Sequence, residues 1–117
     1  MSTEITLLLN QQSSPGNFVS DRKPGAGYHQ KYDSLHTFVL SFSSWSGEVR
    51  IQGTLELYPG EDSWVDLVDS SGQAMIYGND SSDYDGSITT NTRGNFLWIR
   101  AIGTTTAGVI QQIQFSH

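Results

Sequence analysis

The sequence reads as an all-β protein: a two-sheet antiparallel β-sandwich, best matched by a jelly roll, with about eight or nine short strands. Three observations predict this. Runs rich in β-branched and aromatic residues recur every ~8–12 residues, separated by Gly, Pro, Ser and Asn clusters. One run, Glu48 to Leu57, alternates cleanly: Val49, Ile51 and Leu55 interleave with Glu48, Arg50, Gln52, Thr54 and Glu56, the pattern of a strand with one face in the core and one in water. No window carries apolar residues at the three- and four-residue spacing of an amphipathic helix.

Taken in order, Ile5 to Asn10 reads as a first strand, with Ile5, Leu7 and Leu9 alternating with Thr6, Leu8 and Asn10. Gln11 to Gly27 reads as loop, punctuated by Pro15-Gly16 and Pro24-Gly25-Ala26-Gly27, with one short strand at Phe18 and Val19. Residues 1–27 are therefore expected to form an N-terminal strand and arm, and residues 28–117 the sandwich domain. Tyr28 to Leu35 is irregular and aromatic. His36 to Phe42 reads as a strand with Phe38, Leu40 and Phe42 on one face, and Ser43 to Gly47 as a turn. Gly53 interrupts the inner face of the next strand, which suggests a bulge or a close backbone approach. Tyr58-Pro59-Gly60 ends that strand. Trp64 to Val68 and Gln73 to Tyr77 flank a turn at Asp69 to Gly72, and Gly78 to Gly86 is a polar, acidic loop. A strand through Ile88 follows. Asn95 to Ile102 and Gly108 to Phe115, joined by Gly103 to Ala107, read as a hairpin that closes the sandwich.

The totals exclude several function classes. At 117 residues the chain suits one domain. Twelve acidic against six basic residues leave a net charge of −6. With no Lys/Arg cluster, the chain lacks the basic footprint that nucleic acid or an anionic membrane surface requires. There is no cysteine, hence no disulfide scaffold, thiolate metal site or cysteine nucleophile. The start, MSTEITLLLNQQ, has no basic n-region and only a short apolar run, so the expectation is a protein made in a cytoplasm and not exported through a signal peptide. Only 15% of residues are charged, and neutral polar side chains fill the surface.

Few residues suggest chemistry. Asp80, Asp83 and Asp85, followed by Gly86, form the densest acidic cluster. Hard oxygens at this spacing are a weak calcium candidate. Aligned to a calcium loop, however, Ser81 falls at the first position and Thr92 where a bidentate Glu belongs, so a solvated turn is the plainer reading. His29, His36 and His117 have no metal-ligand spacing. No G-x-S-x-G elbow or phosphate loop is present, and no carboxylate pair stands out. The expectation is a non-enzymatic protein without a cofactor. Among the aromatics, Trp45 and Tyr84 fall in predicted loops and are the candidates for an exposed glycan or partner contact. Arg100 lies on an apolar strand, where its charge needs a partner; Asp66 or Glu56 is expected to supply it, in a structural role.

Three blocks also carry a resemblance. They are Tyr32-Asp33-Ser34-Leu35-His36-Thr37; then Ser46 to Leu55, SGEVRIQGTL, with Asp62-Ser63-Trp64; then Gly94 to Ala101, GNFLWIRA, with Thr106 to Ile110, TAGVI. Together they resemble a group of small β-sandwich proteins encoded among the structural genes of tailed bacteriophages, marine and cyanobacterial ones included. The resemblance spans roughly residues 32 to 113, and the chain departs from the pattern at Glu48, Gly53 and Val109. It implies a virion component, synthesised in the host cytoplasm and without enzymatic activity. The leading expectation is a capsid decoration or cement protein that works as a homo-oligomer, a trimer being one form, against the major capsid protein or other virion proteins. In that reading the arm, residues 1–27, contacts the capsid or a neighbouring subunit. The alternative is a carbohydrate-binding module of a tail or fibre, with host glycan stacked on Trp45 or Tyr84.

Overall fold

The computed structural model describes residues 5–29 and 34–116, with the backbone alone at His29, Ser34 and 79–83. Among the described residues it contains seven strands: β1 (Ile5–Gln12), β2 (Gly16–Val19), β3 (Lys23–Pro24), β4 (Ser34–Thr54), β5 (Val65–Asp66), β6 (Ile76–Gly94) and β7 (Trp98–Ser116). Single 3-10 turns lie at Ala26–His29 and Glu61–Ser63. The all-β prediction holds, and every strand pairing is antiparallel.

The three long strands explain the architecture. β4 pairs along its whole length with β7, from Thr37↔Ser116 to Thr54↔Trp98, and its register shifts around Ser43 to Gly47. β6 pairs with β4 on the other side, with shifts at the same place. Each long strand bends there and passes from one layer to the other. Divided at the bends, and with β2 and β3 counted as one and β5 and the start of β6 as one, the strands give eight segments. One layer runs β1, the second half of β7, the first half of β4, the second half of β6. The other runs β2 with β3, the first half of β7, the second half of β4, then the start of β6 with β5. This is the jelly-roll order, and eight segments fall within the predicted count.

The layers close on one core. Leu8, Phe38, Leu40, Phe42, Ile110, Ile113 and Phe115 from the first face Phe18, Val49, Ile51, Leu67, Met75, Ile99 and Ala101 from the second, all buried. Leu55, expected on the inner face with Val49 and Ile51, lies past the end of β4 and is exposed.

The bends have local causes. Ser44 takes φ 49° and Gly108 φ +76°, both in the left-handed region, which most residues avoid. A side chain at Gly108 would run into the Ser44 carbonyl, and one at Gly47, φ +145°, into the Thr104 carbonyl. At each contact the backbones can touch because the glycine lacks a Cβ.

Several sequence expectations change. Asn95 to Ile102 and Gly108 to Phe115 are not two arms of a hairpin; they are largely the two halves of β7, in opposite layers, each paired to β4. Ser43 to Gly47 and Gly78 to Gly86 bend a strand without reversing the chain. Residues 1–27 do not form a separate arm from Ile5 onward. β1, β2 and β3 all pair with β7, and Leu8, Phe18 and Ala26 are buried. Pro15 does lie in the turn between β1 and β2, but Pro24 falls in β3, because an edge strand tolerates a residue that cannot donate to the ladder. Gly53 pairs with Ile99 without a register shift, and a Cβ there would press on the Phe96 ring. It therefore marks a close approach and not a bulge.

Candidate binding surface

The sandwich has two distinct ends. The turn between β1 and β2 and the bends of β4, β6 and β7 gather at one, the bend end. The connections 20–22, 25–29, 55–64 and 95–97 gather at the other, the loop end.

The residues singled out for glycan contact lie at the bend end, and they face inward. Trp45 is 2% exposed. Its ring stacks on Phe42 at 4.5 Å, and its indole N–H points to Thr105 Oγ1 at 3.4 Å. The expected loop is a strand bend that turns the side chain into the core, so Trp45 is not a surface platform. Tyr84 pairs with Trp45 across the strands and meets the Phe42 ring edge-on at 5.5 Å, half-buried. Asp85 accepts a hydrogen bond from the Ser44 N–H at 2.9 Å, which stabilises the bend. The side chains of Asp80 and Asp83 lie outside those described. Among the described residues no three His, Asp or Glu side chains come together.

His36 belongs to the core. Its Nε2 accepts the Ala26 N–H at 3.0 Å, which ties the 3-10 turn to β4, and its ring lies between those of Phe38, Phe96 and Phe115 at 6.3–6.5 Å. The side chain of His29 and all of His117 lie outside the described residues.

The loop end and the outer face of the second layer carry the exposed chemistry. Along β7, Ile99 and Ala101 point into the core, so Trp98 and Arg100 point out. A cross-strand ladder follows from the register, in which Gln52 stands opposite both Arg100 and Asp66. Arg100 Nε donates to Gln52 Oε1 at 2.9 Å, and Gln52 Nε2 donates to Asp66 Oδ1 at 3.0 Å. Arg50 bridges Glu48 at 2.9 Å and Asp66 at 3.2 Å. The Glu48 hydrogen bond, with the charges of Glu48 and Asp66, holds the Arg50 guanidinium above its ordinary pKa. Asp66 is thus engaged by Arg50 and Gln52. Among the described residues Arg100 has no carboxylate within ion-pairing distance. Its guanidinium lies 4.4 Å over the Trp64 ring instead, which corrects the expected Asp66 or Glu56 pairing.

A second arginine repeats the arrangement. Arg22 lies 4.6 Å over the Trp98 ring, whose N–H donates to the Leu57 carbonyl at 2.9 Å and whose ring meets Tyr28 at 5.0 Å. Between the two arginine–tryptophan pairs lies a cleft of about 270 Å³, walled by Ser20, Asp21, Pro59 and Glu61. A groove of about 500 Å³ runs over Arg50, Gln52, Ile102 and Thr104 on the same face. Sequence reading missed this cleft, because its walls come from segments about forty residues apart. The available signal was Arg100 itself, a charge on an apolar strand.

The connection from β4 to β6 also exposes large apolar side chains. Tyr58 is 84% and Leu55 66% exposed, and Leu57, Val65 and Val68 are also open. On the β1 edge, Ile5 and Leu7 are exposed.

No protein-family model matches the chain, and no curated protein matches it in sequence. Among solved structures it is similar to SPBc2 prophage-derived protein YomS, with a TM-score of 0.63 and 9% identity over 98% of this chain and 91% of that one. At that identity the likeness concerns the fold: a protein of prophage origin shares this sandwich from end to end.

Proposed function

We propose that the protein is a non-enzymatic structural component of a phage particle, a capsid decoration protein that binds the particle surface as a homo-oligomer. The observation that carries this reading is the exposed apolar connection, Leu55, Leu57, Tyr58, Val65 and Val68. Exposed apolar side chains concentrated on one connection mark a contact with another macromolecule. The prophage origin of a protein with the same fold supports a phage setting, and so do the three sequence blocks described above. The partners in this reading are further copies of the chain and the major capsid protein. It needs no cofactor, nucleic acid or membrane. The particle contact moves from the N-terminal arm to the loop end, because β1 and β2 are part of the sandwich.

Immunogold labelling of phage particles tests it. Label spread over the heads is the expected result. Label confined to the tail would favour a carbohydrate-binding tail module, and unlabelled intact particles would overturn surface decoration. In parallel, Leu55→Ser with Tyr58→Ser should abolish binding to undecorated particles.

A further inference from the structure

Arg100 is 7% exposed, and a guanidinium so deep in a protein is normally matched by a carboxylate. Here Nε is taken by Gln52 and one face by Trp64, while no described acidic side chain pairs with the charge. The terminal nitrogens carry the remaining donors of the fork, and Arg100 lines the cleft described above. A fork held by its Nε and by stacking is pre-organised to take two oxygens of an anion side by side.

The rest of the cleft narrows the anion. Asp21 and Glu61 stand on its wall, both exposed. They disfavour a phosphate dianion but accept hydrogen bonds from hydroxyls. Pro59 and the edge of Trp64 offer apolar surface to a ring. The volume, about 270 Å³, suits one sugar residue.

We propose that this cleft binds the carboxylate of an acidic sugar, with Arg100 receiving the carboxylate and Asp21 and Glu61 receiving ring hydroxyls. The site lies at the opposite end of the sandwich from Trp45 and Tyr84, and it stands independently of the decoration reading.

The test uses the full chain labelled with nitrogen-15, whose three tryptophan indoles report separately. Glucuronate and N-acetylneuraminate are titrated, with glucose as the neutral sugar and N-acetylglycine as a carboxylate without hydroxyls. Saturable shifts of the Trp64 indole with both acidic sugars, at about millimolar affinity and with Trp45 unmoved, are expected. Glucose and N-acetylglycine should bind at least about tenfold more weakly. Arg100→Lys, which keeps the charge but loses the fork, should weaken binding about tenfold or more. Should that variant fail to fold, Glu61→Ala on the exposed wall serves, with a loss of about threefold or more expected. Failure of the acidic sugars to saturate Trp64 would overturn the proposal. Glucose binding equally well would remove the role of the carboxylate, equal binding of N-acetylglycine would overturn the saccharide assignment, and unchanged affinity in a folded variant would do the same for its residue.

Discussion

At the bend end, the chain changes layer without leaving the sheet, and its aromatic residues turn inward. At the loop end, the chain leaves the sheet, and its aromatic residues stack outward under arginines. Trp45 and Trp64 show the contrast. Both sit among Ser, Gly and acidic residues in sequence, yet Trp45 is sealed between Phe42 and Thr105, while Trp64 carries a cation on its face at the rim of a cleft. The difference comes from the backbone. At the bend β4 stays paired, Trp45 with Tyr84, and the Trp45 side chain lies against the core. A connection freed from pairing can present side chains to solvent. Stability is therefore expected to concentrate at the bends and recognition at the loops.

Substitutions can break this comparison, beginning with the largest effect. Trp45→Ala should cost about 3–5 kcal/mol, as a buried aromatic truncation does, measured by urea unfolding. A loss below 1 kcal/mol would mean that the bend is not part of the core. Gly108→Ala comes next, at about 3 kcal/mol, because it combines a left-handed backbone with a side chain driven into the Ser44 carbonyl; thermal unfolding would register the shift. At the loop end, Leu55→Ser with Tyr58→Ser should change stability by less than about 0.5 kcal/mol per site while particle binding disappears. A large stability loss there would make these residues part of the fold and erase the contrast.

The smallest effect sharpens the picture on the loop side. Asp69 accepts hydrogen bonds from the Ser71 hydroxyl at 2.7 Å and from the Ser71 and Gln73 N–H groups at 2.9 and 3.0 Å. The Ser71 hydroxyl first, then the Gln73 N–H, holds its carboxyl below the ordinary range. A depressed carboxyl stabilises the fold above its unfolded value of about 3.9 and loses that contribution as pH falls through the folded value. Asp69→Asn should therefore slightly lower stability at pH 7 and shallow the decline below about pH 4, as an acid titration followed by circular dichroism would show. An unchanged acid limb would separate the Asp69 turn from the stability of the fold.

Much of the fold was readable from residues alone. The alternation in His36 to Phe42 and in the first part of Glu48 to Leu57, as far as Gln52, placed both faces of β4 correctly, whereas Thr54 is buried and Leu55 lies past the strand; the spacing of strand-like runs led to the jelly roll. The bends were not readable, because Ser43-Ser44-Trp45-Ser46-Gly47 has the composition of a hairpin loop. A bulge and a turn ask for the same permissive residues, and only long-range pairing tells them apart. Trp45 was misplaced for that reason. Of the N-terminal strands only β3 was hidden, by Pro24, which an edge position accepts. At the candidate site, Arg100 was correctly recognised as a charge in need of an explanation. Its neighbours could not be identified, since Gln52, Trp64 and Arg22 are brought to it by three different segments.

The pairing of β1 with β7 also bears on synthesis. Ile5 finds its partner in Ser116 and Gln12 in Ile110, so β1 has no partner in the sandwich until β7 has been synthesised. The central lane of each layer is β4 against β7, again a non-local pair. Neither layer can be completed before β7 has been made, and closing distant contacts is slow. Until β7 arrives, the apolar faces of β1 and β4 remain open in the nascent chain. The sandwich therefore depends on shielding of these faces until β7 has been made, and on rapid closure once it has.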